Sequence, residues 1–266
     1  MATRYGPGNL STVTIGGSDL LAVVREARVE TRSVTVEGRT MARSGRTPQR
    51  VKKGVWVRTT NLSTISSGVR VSHLHVEQLR IDDVELAPSF IEGSLFGDFR
   101  SVEASGIGEA WLNPQLVEKG YRFKGVCMAD AGSAATLKAL AASTLDGPAT
   151  TLKLRINGLD IEIPMLVRRI EQVATFADVQ RFEVELEGRS PDSGAYPTSP
   201  TTTTTLLGWS LNDPNTARTF LVQTTGSVPI EASGSVIPDR FLVSFRNSEL
   251  VRESYVFRSR GEVLWT

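Results

Sequence analysis

The chain has 266 residues, of which 30 are Lys or Arg and 29 are Asp or Glu, so its formal net charge is +1. This length allows one large domain or two smaller ones, and the near-zero net charge removes any general argument for binding nucleic acid or an anionic membrane. A hydrophobic content of 40% with 22% charged residues excludes wholesale disorder. We expect no membrane span and no secretory signal, because the chain lacks a long uncharged apolar run and its start lacks an apolar stretch. The single cysteine, Cys127, excludes a disulfide within the chain.

Alternation of apolar and polar residues predicts strands along most of the chain. The predicted strands lie at 12–15, 27–36, 54–58, 69–76, 120–128, 181–187, 219–222, 241–245 and 254–257. One helix is predicted over 133–145, which is rich in Ala and Leu and stops at a Gly-Pro pair, and a short helical turn is predicted over 113–119. The sequence therefore predicts a mainly β protein with one flanking helix.

The clearest local signal is a hairpin over residues 152–163. Asn157-Gly158 supplies the two positive φ angles of a type I′ turn, which makes a two-residue hairpin loop. This loop predicts that Ile156 pairs with Leu159, and that Arg155 and Lys153 lie opposite the acidic residues Asp160 and Glu162.

A change of composition predicts a domain boundary near residues 190–205. This segment is rich in Pro, Ser and Thr and poor in large apolar residues, which is typical of an extended linker. It separates a first domain, residues 1–189, from a small β domain at residues 206–266, which is short for independent stability.

Charge is distributed unevenly although it sums to almost nothing. Eight basic residues and no acidic ones lie between Glu37 and Glu77, whereas eight acidic residues and only two basic ones follow up to Glu109. Residues 38–54 also contain Gly, Pro, Ser and Gln with few apolar anchors, so we expect a long loop between two strands. This basic segment suits docking on an acidic protein surface, binding of a phosphate backbone, or a merely solvated loop.

The sequence offers little for catalysis. It contains no phosphate-binding loop, no nucleophile elbow, no zinc-protease motif and no paired cysteines, and Cys127 lies in an apolar strand where an inert thiol is expected. His73 and His75 share one face of a predicted strand, but two histidines without a third ligand do not make a zinc site. A hydrolase using these histidines with Asp82 and Asp83 remains an alternative, although we expect no enzyme, no metal and no cofactor.

The order of elements resembles the tail tube, or major tail, proteins of tailed bacteriophages. The resemblance covers about residues 10–190 and consists of the early Val-Thr-Ile-Gly-Gly strand at 13–17, a strand pair joined by a long loop, one Ala/Leu helix, a hairpin and the closing strand at 182–188. It implies a β-sandwich or β-barrel with one flanking helix that assembles into rings, usually hexameric, which stack head to tail as a conduit for DNA.

The resemblance also implies a virion protein of the tail, assembled in the host cytoplasm. Its partners would be further copies of itself, the tape measure, terminator and distal tail proteins, and DNA in transit. One alternative is another tail component, such as a baseplate, terminator or tail-completion protein. A second alternative is a small nucleic-acid-binding β protein that uses the basic loop.

The charge reversal and the resemblance together predict contacts between stacked rings. The loop typically reaches toward the next ring in that family, and oppositely charged segments on one chain suit head-to-tail contact. The predicted docking residues are Arg39, Arg43, Arg46, Arg50, Lys52 and Lys53, and the predicted acidic counterparts are Glu77, Asp82, Asp83, Glu85, Glu92 and Asp98.

Overall fold

A computed structural model of the chain describes most of its regular structure. The described residues are 2–5, 9–38, 47–62, 76–81, 84–86, 90–104, 106, 109–128, 135, 137–139, 150–156, 159–173, 180–189, 206–225, 229–246 and 251–266. The predicted linker at 190–205 and the histidines His73 and His75 lie outside them. Within these residues the chain is mainly β, and helical residues occur only near Leu137 and in one short helix, Leu206–Asn212, so the predicted fold class is confirmed.

The described residues form fifteen strands, which pair with one another in antiparallel fashion. Their bounds are β1 Ala2–Tyr5, β2 Leu10–Ile15, β3 Ser18–Asp19, β4 Val24–Gly38, β5 Thr47–Leu62, β6 Val76–Ile81, β7 Val84–Glu85, β8 Phe90–Glu103, β9 Pro114–Met128, β10 Thr150–Ile156, β11 Leu159–Val173, β12 Arg181–Arg189, β13 Arg218–Thr224, β14 Glu231–Arg246 and β15 Arg252–Trp265.

The strands follow the order β1-β4-β5-β15-β14-β8-β9-β12-β11-β10-β6-β7. Two long strands change partners along their length. The first part of β14 pairs with β13, which in turn pairs with β2, and its second part pairs with β8. The first part of β11 pairs with β10 and its second part with β12. Because of these changes of partner, the strands belong to one continuous sheet, and their buried side chains share one core.

The predicted hairpin is confirmed in its full register. Ile156, Leu154 and Leu152 pair with Leu159, Ile161 and Ile163, because a two-residue loop leaves no freedom to slip. On the opposite face Arg155 Nε lies 3.4 Å from Asp160 Oδ1, and Lys153 Nζ lies 3.9 Å from Glu162 Oε1. Such exposed pairs contribute only about 0.2–1 kcal/mol each, so the turn and the buried face set the register.

Alternation along the central strands separates a buried face from an open one. In β12, Phe182, Val184 and Leu186 are buried whereas the intervening glutamates are not, and β9 and β14 repeat the pattern. The buried side chains belong to one hydrophobic cluster that reaches from Leu10 to Val263. Burial of apolar area on this scale is the main force that stabilises the fold.

The segment predicted as a separate C-terminal domain shares this sheet and core. Strands β15 and β14 lie between β5 and β8, so residues 206–266 join two parts of the first predicted domain. The helix Leu206–Asn212 buries Trp209 completely, and its ring stacks on Phe257 at 5.4 Å. Strand pairings between residues almost 200 positions apart leave no trace in local composition, which is why the sequence suggested a division.

The predicted long loop at 38–54 is shorter in the structure. Strand β5 begins at Thr47 and pairs with β4 as far as Gly38, so Arg50, Lys52 and Lys53 lie in a strand. Of the predicted helix at 133–145, Ala135 and residues 137–139 are described and are helical, and Leu137 is buried in the core.

Candidate assembly surfaces

The β4–β5 hairpin extends beyond the sheet as a two-stranded arm. We define the arm as residues 31–38 of β4 and residues 47–52 of β5. Strand β1 pairs only with residues 27–30 of β4, and β15 pairs only with residues 56–62 of β5. Within the described residues, the strands of the arm therefore pair only with each other. An isolated two-stranded hairpin is marginally stable in water, so this arm lacks the support that the other strands have.

Stacked cationic and aromatic side chains fix the base of the arm. Trp56 is nearly buried on β5, with the Arg32 guanidinium carbon 5.2 Å and the Arg258 guanidinium carbon 5.7 Å from its ring centroid. Arg32 also donates to Glu30 at 2.7 and 3.0 Å. These hydrogen bonds from Arg32 are the main cause of the lowered pKa of the half-buried Glu30 carboxyl. The arm thus leaves the sheet from a rigid base.

The structure describes three of the six predicted basic docking residues, and their surroundings differ. Lys52 is buried, and its Nζ donates to the Gly106 carbonyl at 3.2 Å. Lys53 is exposed, with Nζ 5.9 Å from the centroid of Trp111. Arg50 lies in the β5 part of the arm. The remaining three, Arg39, Arg43 and Arg46, lie outside the described residues, between the two strands of the arm.

The predicted acidic counterparts are scattered as well. Glu85 accepts a hydrogen bond from Arg80 at 3.0 Å, and Glu92 accepts one from Arg246 at 2.6 Å. Asp98 is exposed on β8, opposite Arg240 of β14. Glu77 belongs to β6, whereas Asp82 and Asp83 lie outside the described residues. Glu85 and Glu92 are satisfied within the chain, which weakens the prediction that this stretch receives the arm.

A second unpaired edge lies in the second part of β11, beyond its pairing with β10. Residues 166–173 of β11 pair with β12 on one side, whereas β10 ends its pairing at Met165. In the described part of the chain, no strand covers the other side of this segment. Leu166, at its start, is 46% exposed. A long unpaired edge with an exposed leucine is a template for pairing with another chain.

Between these two edges the sheet presents a charged open face. We define the open face as the outward side chains of β14, β8, β9 and β12. It carries basic and acidic residues, among them Arg122, Lys124, Arg181, Arg240, Arg246, Glu92, Asp98, Glu183, Glu185 and Glu187. Lys124 Nζ and Arg122 Nε lie 3.4 and 3.7 Å from Glu185 Oε1, and Arg168 of β11 pairs with Glu187. The face therefore carries charges of both signs, and several of them form ion pairs.

A shallow cavity of about 550 Å³ lies on the open face. Charged side chains of both signs line it, among them Glu92, Lys124, Arg169, Glu183 and Arg246. Because the acids and bases alternate and form ion pairs, the cavity does not concentrate the single charge that a phosphate or metal site requires.

A second cavity of about 360 Å³ lies at the base of the arm. Its lining includes Glu109, Trp111, Asn113, Arg260 and Glu262. Residues 110–112 run beside Lys53, whose backbone N–H donates to the Ala110 carbonyl at 3.0 Å and whose carbonyl accepts from Leu112 N–H at 2.9 Å. No local sequence pattern indicates this cavity, because its residues come from two segments about 150 positions apart.

Metal and catalytic chemistry find no support among the residues that the structure describes. They contain no group of three or more His, Cys, Asp or Glu side chains placed to hold a metal ion. Cys127 is buried, as its apolar strand predicted. The alternative hydrolase site of His73, His75, Asp82 and Asp83 falls outside the described residues.

Comparisons with known proteins add no family to this picture. No protein-family model matches the chain, and the search of curated proteins gives no match. No helix in the described part of the chain is long and apolar enough to cross a membrane.

Proposed function

We propose that the chain is a structural virion protein that assembles into stacked rings and forms the tube of a phage tail, through which DNA leaves. The observation that carries this proposal is a pair of strand segments, one in the arm and one in β11, that have no further strand partner among the described residues and lie on either side of the central strands. Natural proteins cover, charge or shorten such edges unless another chain pairs with them. Two different edges on one subunit suit head-to-tail contact, which closes into rings.

The same arrangement supports the other partners that the resemblance implies. A ring of about six copies leaves its upper and lower rims exposed, where the tape measure, terminator and distal tail proteins would bind. The site of action would be the virion tail, after assembly in the host cytoplasm. In this proposal the chain acts by self-association and carries out no reaction.

Electron microscopy of the purified full chain tests the proposal directly. We expect rings or short tubes that lengthen as the protein concentration rises. A particle that stays monomeric at the highest soluble concentration, at both low and high salt, would contradict it.

Replacing Arg43, Arg46 and Arg50 together by Ser should impair stacking without unfolding the subunit. One exposed ion pair contributes only about 0.2–1 kcal/mol, but a ring repeats each contact several times. The loss should be greatest at raised salt, which screens the remaining charges. Tube length in micrographs is the measurement, and a triple variant with the same charge change, Arg25, Arg100 and Arg155 to Ser, is the control. Equal tube lengths for the two variants would show that the basic segment does not contribute to stacking and is only solvated.

The open face should line the bore of the tube. DNA must slide without adhering, and every unpaired basic residue would add salt-dependent affinity for phosphate, so a wall on which charges of both signs form ion pairs suits this task. Glu183 is exposed on this face, and the native Cys127 is buried, so a Glu183→Cys variant carries one reactive thiol. In free subunits we expect it to react with small and with long-chain polymeric maleimides. In assembled tubes only the small reagent should reach it, and rapid labelling of tubes by the polymer would place this face outside the bore.

A further inference from the structure

We propose that the cavity at the base of the arm binds an arginine side chain from residues 39–46 of a second copy of the chain. The cavity is lined by Glu109, Trp111 and Glu262, and we call it the acceptor cavity. This inference rests on the proposed function, since it names the surface that receives the arm when rings stack. It replaces the scattered acidic counterparts with one defined site.

Main-chain hydrogen bonds on both sides hold the acceptor cavity in shape. Lys53 of β5 brackets Trp111 through bonds to Ala110 and Leu112, and the Leu112 carbonyl also accepts from Gly261 N–H at 2.9 Å. The Trp111 ring is therefore fixed between β5 and β15, with part of its surface accessible. A preformed aromatic surface of this kind binds guanidinium groups at little entropic cost.

The charges around the cavity leave its two carboxylates available. The Arg260 guanidinium donates to Asn113 Oδ1 at 3.2 Å and to the Asn215 carbonyl at 2.9 Å, so it is held by neutral acceptors. Lys53 Nζ lies over the Trp111 ring. Glu109 and Glu262 are exposed, and neither carboxylate forms an ion pair with any residue that the structure describes. Two unpaired carboxylates beside an indole match the planar, five-donor guanidinium of arginine better than a lysine ammonium.

The segment that joins the two strands of the arm contains such groups. Residues 39–46 contain Arg39, Arg43 and Arg46 and no acidic residue. They join Gly38 to Thr47, which is six residues along β5 from Lys53 and hence about 20 Å from the cavity. To reach its own cavity, the loop would have to fold back fully extended along its own strands. A second copy displaced along the arm needs no such reversal, and the contact repeats from copy to copy as a stack requires.

A peptide that carries the arm sequence tests this contact apart from assembly. The probe is a fluorescent peptide of residues 37–48, and the receptor is the full chain with Arg39, Arg43 and Arg46 replaced by Ser, so that its own residues 39–46 do not compete. We expect saturable binding by fluorescence anisotropy, weakened roughly tenfold or more by Glu109→Gln with Glu262→Gln, because charge-assisted hydrogen bonds are lost. Trp111→Ala should weaken binding too. Glu162→Gln with Glu183→Gln is the control with the same charge change.

The outcomes separate this inference from the proposed function. Equal peptide affinity for the cavity variant and the control would overturn the inference, even if the wild-type chain forms tubes. Peptide binding that depends on Glu109 and Glu262 in a chain that never forms rings would support the contact and reject the tube. Circular dichroism confirms that each variant is folded before its affinity is compared.

Discussion

A chain that ends at Arg189 should show no cooperative unfolding transition. The truncation removes β13, β14, β15 and the Trp209 helix, although the sequence suggested that residues 1–189 form a domain of their own. In the structure β15 and β14 connect β5 to β8, and β13 connects β2 to β14, so their loss splits the sheet into three groups of strands that do not pair with one another. It also removes the fully buried side chains Trp209, Tyr255 and Phe257 from the core. Loss of even one such aromatic side chain costs about 3–5 kcal/mol, a large fraction of the stability of a domain.

Thermal unfolding followed by circular dichroism measures this effect. The matched control keeps residues 206–266 and replaces residues 190–205 by a Gly/Ser segment of equal length, which should retain one cooperative transition. A truncated chain that melts cooperatively with native strand content would show that the first 189 residues fold alone, and the shared core would then be wrong.

Replacing Asp239 by Ala should destabilise the chain by about 2–4 kcal/mol. Asp239 is 6% exposed and lies at a register shift of β14, where its Oδ1 accepts from Arg258 Nη2 at 2.5 Å. Arg258 also donates to Ser101 Oγ at 2.7 Å and stacks on Trp56, so it links β15 to β8 and to the base of the arm. Without Asp239 the Arg258 charge stays largely buried and unpaired. The expected cost is below that of a fully buried pair because about a quarter of the Arg258 side chain is exposed.

The pH dependence of this pair has a definite sign. Burial raises the pKa of the Asp239 carboxyl above its ordinary value of 3.8, with a smaller contribution from Asp98 in the same direction, although Arg258 and Arg240 lower it. A carboxyl with a raised pKa in the folded state favours folding most below pH 3.8, and this contribution is lost as the pH rises through the folded-state pKa. The stability of wild type minus that of Asp239→Asn should therefore fall with rising pH and then stay constant.

Urea unfolding of wild type, Asp239→Asn, Asp239→Ala and Arg258→Ala across this pH range measures both effects. The Asn variant keeps the shape of the side chain and serves as the control for lost volume. A difference between wild type and the Asn variant that grows as the pH rises would contradict the assigned direction, and a loss below 1 kcal/mol for the Ala variant would show that water compensates Arg258.

Local signals predicted the strands and the hairpin because their causes are local. Asn157-Gly158 admits one tight turn, and alternation in β12 follows directly from one buried face. A local signal also misled: Pro114 looked like the first residue of a helical turn, but it begins β9, where the first residue of a strand tolerates proline. The order of the strands cannot be predicted from local sequence signals, because it is set by long-range pairing such as that of Tyr255 with Thr59.

The candidate surfaces were only partly predictable for the same reason. The excess of arginine between Glu37 and Glu77 is visible in the sequence, so the arm was identified, although as a loop. The sequence predicts Lys52 as a docking residue because nothing in its neighbourhood indicates that β5 begins before Gly54. In the structure β5 includes Lys52, and this side chain is buried. No sequence signal marks Trp111 as part of a site, because Arg260 and Glu262 line the same cavity only when β15 is in place.

Strands β14 and β15 come late in the sequence, yet they occupy the middle of the sheet. Strands β5 and β8 therefore cannot be joined during synthesis until β14 and β15 have been made. In the assembly that we propose, a chain cut short before these strands would lack the sheet that holds the arm and β11 in place, so it would present no finished surface to a growing polymer. The strand order would thus exclude truncated subunits from the polymer without a separate control step.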